Sequence, residues 1–167
     1  MAVVNTKATN ITNADATPRV ANDVRNFHGR VRVQKGTVEV AAADDDTSVF
    51  RFARVHSSWS VHSIQYLNDA IAGATDYDCG LYQTAENGGA VLDVNAYADA
   101  VDINAGTAAW VEIAYEARAI ENLGQRVYED GGVAADPNIY YDICLTGATV
   151  GTAAGTITMV VLYTAGD

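Results

Sequence analysis

From Arg30 onward, large apolar residues recur at every second position, and this period constrains the fold more than any other feature. Side chains of a β-strand point alternately to the two faces of a sheet, so the period predicts half-buried strands. The closing run, residues 156–163, is apolar on both faces, which is typical of a central strand. Seven or more such strands, separated by turns rich in Gly, Asp and Asn, predict an all-β fold, an antiparallel β-sandwich of the jelly-roll type.

Three short segments depart from the period of two. The apolar residues change parity across Lys35-Gly36, which predicts a bulge or a turn there. Residues 95–101 have helical spacing and predict one or two helical turns. Residues 118–129 predict a short helix that Gly131 ends. The expected fold therefore includes one or two short helices.

Residues 1–27 are predicted to form an extended N-terminal arm, and residues 28–167 the β-sandwich domain. The arm is rich in Thr, Asn, Ala and Asp, and its few large apolar residues follow neither a helical nor an alternating period. A segment of this composition is either disordered or ordered by a partner.

The net charge of −11 is distributed unevenly along the chain. Residues 1–54 hold eight of the ten Lys and Arg residues against six acids, whereas residues 55–167 hold two arginines against fifteen acids. Because the acidic body repels a phosphate backbone, no nucleic acid is expected as a partner. The basic front segment is predicted to contact an acidic partner surface. The alternative is that its arginines pair with acids of the same chain.

Neither a membrane span nor an export signal is expected. No apolar run approaches the roughly 20 residues of a membrane-spanning helix, and the first residues lack the basic start and apolar core of a secretory signal. A protein made and folded in a cytoplasm is the expectation. A disulfide then has little support, so Cys79 and Cys144 are predicted to be buried free thiols.

No strong signature of catalysis, of a metal or of a cofactor is present in the sequence. The histidines, His28, His56 and His62, lack the spacings of zinc sites. The serines beside them lack a nucleophile elbow. Acidic residues such as Asp76 and Asp78 lie in predicted turns, where a bound calcium ion stays open as an alternative. We therefore predict no catalytic, cofactor-binding or metal-binding residue and no enzymatic activity.

Several short motifs resemble one known group of proteins. They are Asp-Tyr-Asp-Cys-Gly-Leu-Tyr at 76–82, Gly-Gly-Ala-Val-Leu-Asp at 88–93, Asp-Pro at 136–137, Tyr-Tyr-Asp-Ile at 140–143 and Gly-Thr-Ile-Thr at 155–158. On these motifs the chain resembles the small cement, or decoration, proteins on the heads of tailed bacteriophages, across roughly residues 30–165. That group brings no catalytic residues.

The resemblance implies a structural virion protein, a β-sandwich subunit that is often trimeric and clamps over joints between major capsid protein subunits. It implies the outer capsid surface as location, the major capsid protein as partner, a homotrimer, and no membrane. The predicted contact residues come from the arm and the start of the domain: Arg19, Arg25, Phe27, Arg30 and Arg32.

A carbohydrate- or receptor-binding β-sandwich module of a phage fibre or surface protein is the alternative function. Such a module would present exposed aromatic side chains to its ligand. The candidates for that platform are Trp59, Trp110, Tyr128 and Tyr140.

Overall fold

A computed structural model describes residues 4–166 of the chain. Eight strands form two four-stranded antiparallel sheets, so the predicted all-β antiparallel sandwich is confirmed. Within residues 4–166, helical structure is limited to α1 (Thr9–Asp15), α2 (Val127–Asp130) and two 3-10 turns, Ala85–Asn87 and Ile120–Asn122. The strands are β1 (Val31–Val40), β2 (Val49–His56), β3 (Ser60–Asn68), β4 (Asp76–Gln83), β5 (Val91–Val101), β6 (Val111–Glu112), β7 (Tyr140–Thr149) and β8 (Gly155–Thr164).

The order of the strands follows a simple rule. Sheet A has the order β1-β8-β3-β6 and sheet B the order β2-β7-β4-β5. The first strand pairs with the last, the second with the seventh, the third with the sixth and the fourth with the fifth, all antiparallel. The chain is therefore equivalent to one long hairpin folded over into two sheets.

The core lies between the two sheets and is supplied by alternate residues of each strand. In β8, Ile157, Met159 and Val161 are fully buried, and the strand lies between β1 and β3, as its apolar run predicts. In sheet B, Tyr77 and Ile143 are equally buried. Each such side chain contributes about 1.5–3 kcal/mol to the free energy of unfolding.

The bulge or turn predicted at Lys35-Gly36 is wrong. Strand β1 pairs with β8 in unbroken register from Val31 to Val40. The parity change has another cause, because the second half of β1 turns its valines into the core while the first half turns them to solvent. Gly36 is required for a different reason, since a Cβ there would lie 2.3 Å from the carbonyl oxygen of Phe52.

The helical turns predicted for residues 95–101 are also wrong, because this segment lies in β5. The register of β5 shifts several times against β4, which disturbs the alternation and gives the apolar residues a helix-like spacing. The helix predicted for residues 118–129 forms only as two short pieces. Gly124 separates them with a left-handed φ of +91°.

A buried ion pair fastens the long connection between β6 and β7 to the body. The guanidinium of Arg118 donates to Asp130 Oδ2 at 2.9 Å and to the carbonyl oxygen of Val61 at 3.0 Å. It also lies over the rings of Tyr97 and Tyr115, at 5.3 and 5.7 Å from their centroids. Burial raises the pKa of Asp130 to about 6 despite the nearby guanidinium.

Cys79 and Cys144 are free and buried, as predicted. Burial raises the pKa of the Cys144 thiol to about 12, so this thiol is not ionised at neutral pH. Of the helices within residues 4–166, none is long and apolar enough to cross a membrane.

The segment predicted as an arm has local structure. Its first three residues, like the last residue of the predicted domain, lie outside the described residues. Helix α1 buries none of its side chains. The segment after α1 contacts the helix through the Asn22 side-chain amide, which donates to the carbonyl oxygen of Asn10 at 2.9 Å. Further along, the Asn26 amide donates to the carbonyl oxygen of Gly124 at 3.3 Å and joins the arm to the sandwich.

Candidate interaction surface

The outer face of sheet A carries an exposed aliphatic patch. Val31 and Val33 are 63% and 62% exposed on the edge strand β1. The register shows that these valines point outward. Val33 lies opposite Leu162 of β8, and the two residues next to Leu162 in the sequence are buried in the core, so Leu162 and Val33 point to the other face. Val160, opposite Lys35, points the same way. We call this set of residues, Val31, Val33, Lys35, Val160 and Leu162, the β1 patch.

Unpaired cations flank the β1 patch. Within residues 4–166, the side chains of Arg19, Arg30 and Lys35 have no hydrogen bond or ion pair. Among the described residues, Arg126 of the β6–β7 connection also has no ion pair, but it lies over the ring of Tyr128, 6.0 Å from its centroid. The other cations left for an outside partner of this chain of net charge −11 lie on or beside the arm and β1. This arrangement suits an acidic partner surface with apolar groups of its own.

The arm lies beside the β1 patch and leaves its own apolar side chains uncovered. Thr9 and Asn10 at the start of α1 face Val31 and Thr164 across a cavity of about 520 Å³. The large apolar residues of the described arm other than Phe27 are all exposed, from 44% to 77%: Val4, Ile11, Val20 and Val24. Arm and β1 patch together offer one continuous surface for a partner. We refer to it as the arm–β1 surface.

The five predicted contact residues take different positions. Arg19 and Arg30 are exposed on the arm–β1 surface. Arg25 is held within the chain, with an ion pair to Asp23 at 2.5 Å and a hydrogen bond to the carbonyl oxygen of Ser58 at 3.4 Å. For Arg25, pairing within the chain is therefore the correct alternative. Phe27 is half-buried against His28, and Arg32 lies in a separate cavity described below.

One end of the sandwich is strongly acidic. Its four loops, residues 41–48, 69–75, 102–110 and 150–154, contain five aspartates and neither lysine nor arginine. Hydrogen bonds join neighbouring loops, such as the amide of Ile103 to the carbonyl oxygen of Ala74 at 3.0 Å. We call this end the acidic pole. The arm lies at the opposite end of the sheets.

The outer face of sheet B carries charged side chains that pair with one another. Asp142 is 4% exposed there and accepts hydrogen bonds from Arg51 at 2.9 Å and Arg54 at 2.7 Å. These arginines pair with an acid of their own chain, the outcome that the sequence left open. Among the described residues, the arginines of this face are thus paired, whereas Arg30 and Lys35 beside sheet A are not.

An aromatic corner lies at the arm end, on the side of sheet B. The rings of Trp59 and Tyr163 stack with centroids 4.7 Å apart, and Tyr140 stands nearly perpendicular to Trp59 at 6.0 Å. Of the four aromatics proposed for a ligand platform, Trp59 and Tyr140 meet here. Tyr128 is buried, and Trp110 lies exposed at the acidic pole.

The histidines and serines do not converge on a reactive centre. His56 Nδ1 is 2.8 Å from Ser58 Oγ, whereas His62 Nε2 is 2.8 Å from Thr164 Oγ1 in the other sheet. Burial and the Arg118 charge lower the pKa of His62. Within the described part of the chain, no three His, Cys, Asp or Glu side chains are placed to hold a metal ion.

The β1 patch was missed at the sequence level, although its signal was present. The parity change in β1 is the mark of valines that leave the core face and turn outward. An uninterrupted strand with such a change places apolar residues on both faces, which indicates a second buried contact.

No protein-family model matches the chain, and no curated protein matches it. Two solved structures are similar in fold. A chain of the capsid asymmetric unit of cyanophage Pam1 is 17% identical with a TM-score of 0.54, over 98% of this chain and 99% of that chain. A chain of the capsid of Ralstonia phage GP4 is 12% identical with a TM-score of 0.55, over 83% of this chain and 86% of that chain. At these identities the likeness establishes the fold alone.

Proposed function

We propose that the chain is a structural virion protein, a cement or decoration subunit that binds the outer capsid shell of a tailed bacteriophage. The observation that carries the proposal is the arm–β1 surface, where exposed valines and unpaired cations lie side by side. The similarity in fold supports it, since both similar chains belong to capsid structures. The Pam1 likeness spans almost all of both chains, so a chain of this size is a capsid component in that particle.

The proposed contact lies at junctions between major capsid protein subunits. The valines of the β1 patch and the exposed arm residues lose water there, which contributes about 25 cal/mol per Å² of apolar area. Arg19, Arg30 and Lys35 meet acidic groups of the shell. A subunit that binds only the assembled shell stabilises it by mass action. No catalytic step is needed for this role.

The charge distribution gives the bound subunit an orientation. In this proposal the arm–β1 surface faces the shell and the acidic pole faces solvent. Neighbouring copies then present like charge outward, which keeps the decorated particles from associating. We propose further that the subunit assembles as a homotrimer.

The test is a binding assay of the chain on undecorated shells of its phage. The double variant Arg30→Glu/Lys35→Glu is expected to bind at least about tenfold more weakly, because each change replaces an attraction by a repulsion. Raising the salt concentration from 0.05 to 0.5 M is expected to weaken shell binding by the wild type as well, because salt screens the charges. The difference in affinity between the wild type and the double variant should then become smaller.

Glu39→Lys is the matched control for the charge reversal. Glu39 lies on the same outer face of the same strand as Lys35, so its reversal adds a cation to the contact. Binding is expected to stay equal or become tighter. Weaker binding of Glu39→Lys together with unchanged binding of the double variant would contradict the proposed charge pattern.

A further inference from the structure

The aromatic corner encloses a second cavity, which the proposed shell contact does not use. Its volume is about 480 Å³, and its lining includes Arg25, Arg32, His56, Ser58, Trp59 and Tyr140. His56 and Tyr140 are paired across β2 and β7, and their neighbours Val55 and Tyr141 are buried, so both side chains point out of sheet B. The cavity therefore opens away from the β1 patch.

The aromatic rings of the corner are held rigidly. Trp59 is fixed by its stack on Tyr163, with an angle of 9° between the ring planes. Tyr140 stands against both Trp59 and His56, at 87° and 80°, and is still 45% exposed. A rigid ring with an open face offers apolar contact area with little entropy to lose on binding.

The polar groups of the corner are mainly donors. None of the described residues that line the cavity is acidic, whereas two are arginines. The Nε of Arg25 is buried and has no hydrogen-bond acceptor, although its Nη2 is bound to Asp23. Arg32 adds its charge to the cavity and has contacts of its own within the chain. His56 Nδ1 accepts from the amide of Ser58 at 3.2 Å, which leaves the Nε2–H as a further donor.

We infer that this corner is a binding site for an acidic saccharide, a sugar that bears a carboxylate. The apolar face of a sugar ring can stack on Tyr140, while its carboxylate and hydroxyl groups accept from the donors around it. The volume is within the usual range for small-ligand cavities and holds one or two sugar rings. Binding of an acidic saccharide would be an activity of the subunit that is separate from shell binding.

The test uses the full-length chain in solution and needs no shell. In a Trp110→Phe background, Trp59 is the one remaining tryptophan, and its fluorescence reports on the corner. Titration with a galacturonic acid tetramer is expected to give a saturable change, with a Kd of about 0.1–1 mM. The same tetramer with its carboxyl groups reduced to alcohols is expected to bind at least about tenfold more weakly.

Variants locate the binding. Tyr140→Ala is expected to weaken it about tenfold or more, measured by calorimetry. Trp110→Ala is the matched control, because Trp110 is 46% exposed at the acidic pole, and it should leave the Kd unchanged. Thermal melting checks the fold, and Tyr140→Ser replaces Tyr140→Ala if that variant does not fold.

Three results would overturn the inference. They are no saturable signal up to about 10 mM tetramer, equal loss of binding in the Trp110→Ala control, and tighter binding of a glutamate-rich peptide than of the tetramer. The last result would make the corner a peptide site. None of them depends on shell binding, so the proposed function is tested separately.

Discussion

Replacing Arg118 by Met is expected to lower the free energy of unfolding by about 3–5 kcal/mol at pH 7.5. The guanidinium and the Asp130 carboxylate are 3% and 0% exposed, so neither can be solvated in place of its partner. The variant leaves a buried carboxylate without its cation, and it also removes the hydrogen bond to the carbonyl oxygen of Val61. At about 2–4 °C per kcal/mol for a chain of this length, the melting temperature should fall by about 10 °C.

Two variants make this result specific. Arg30→Met removes an exposed arginine that has no partner among the described residues and is expected to change the free energy of unfolding by less than about 0.5 kcal/mol. The double variant Arg118→Met/Asp130→Leu removes both charges and is expected to recover much of the loss. If Arg118→Met and Arg30→Met melt at the same temperature, the buried pair has no role in holding the connection between β6 and β7.

The stability loss caused by Arg118→Met is expected to depend on pH, because Asp130 titrates. The folded-state pKa of Asp130 is about 6, above the ordinary 3.8, so Asp130 favours the folded state most strongly below pH 4 and loses that contribution as the pH rises through 6. At pH 5 the wild-type carboxyl is already mostly protonated. The cost of Arg118→Met, measured by urea unfolding, should therefore be smaller at pH 5 than at pH 7.5.

Deleting residues 1–27 is expected to reduce binding to undecorated shells at least about a hundredfold. The deletion removes Arg19 and four exposed large apolar residues of the arm, each able to contribute on the order of 1 kcal/mol when a partner covers it. The sandwich itself should stay folded. Among the described residues, the side-chain hydrogen bonds from this segment to the body are those of Arg25 and Asn26, so the free energy of unfolding should fall by no more than about 2 kcal/mol.

A shorter deletion separates the parts of the arm. Removing residues 1–22 takes away α1 and Arg19 but keeps Arg25 and Asn26, which join the arm to the sandwich. This variant should melt like the wild type and still bind shells much more weakly. Full binding by the longer deletion would leave the arm without the function proposed for it.

The strands and the core could be predicted from the sequence because their cause is local. Burial of alternate residues imprints a period of two on segments such as β7, and the closing apolar run marks the central strand β8; both were located correctly. The period fails where a bulge shifts the register. In β5 the repeated shifts against β4 gave residues 95–101 a helical spacing, and only the partner strand reveals the pairing.

The pairing and exposure of individual side chains could not be predicted, because contacts between residues far apart in the sequence do not appear in a local pattern. Arg25 and Arg19 look alike in the sequence, yet Arg25 donates to the carbonyl oxygen of Ser58, 33 residues away, while Arg19 has no hydrogen bond or ion pair within residues 4–166. The valines of β1 were recognised as apolar, but their exposure depends on the register with β8. The burial of Asp130 beside Arg118 depends in the same way on the tertiary fold.

A reconstruction of the phage particle by electron cryo-microscopy tests the central claim most directly. The account predicts copies of the sandwich on the outer shell at junctions between capsid subunits, with Val31 and Val33 against the shell and the loops of the acidic pole towards solvent. Particles that lack the chain, or copies attached through the acidic pole with the β1 patch in solvent, would contradict it.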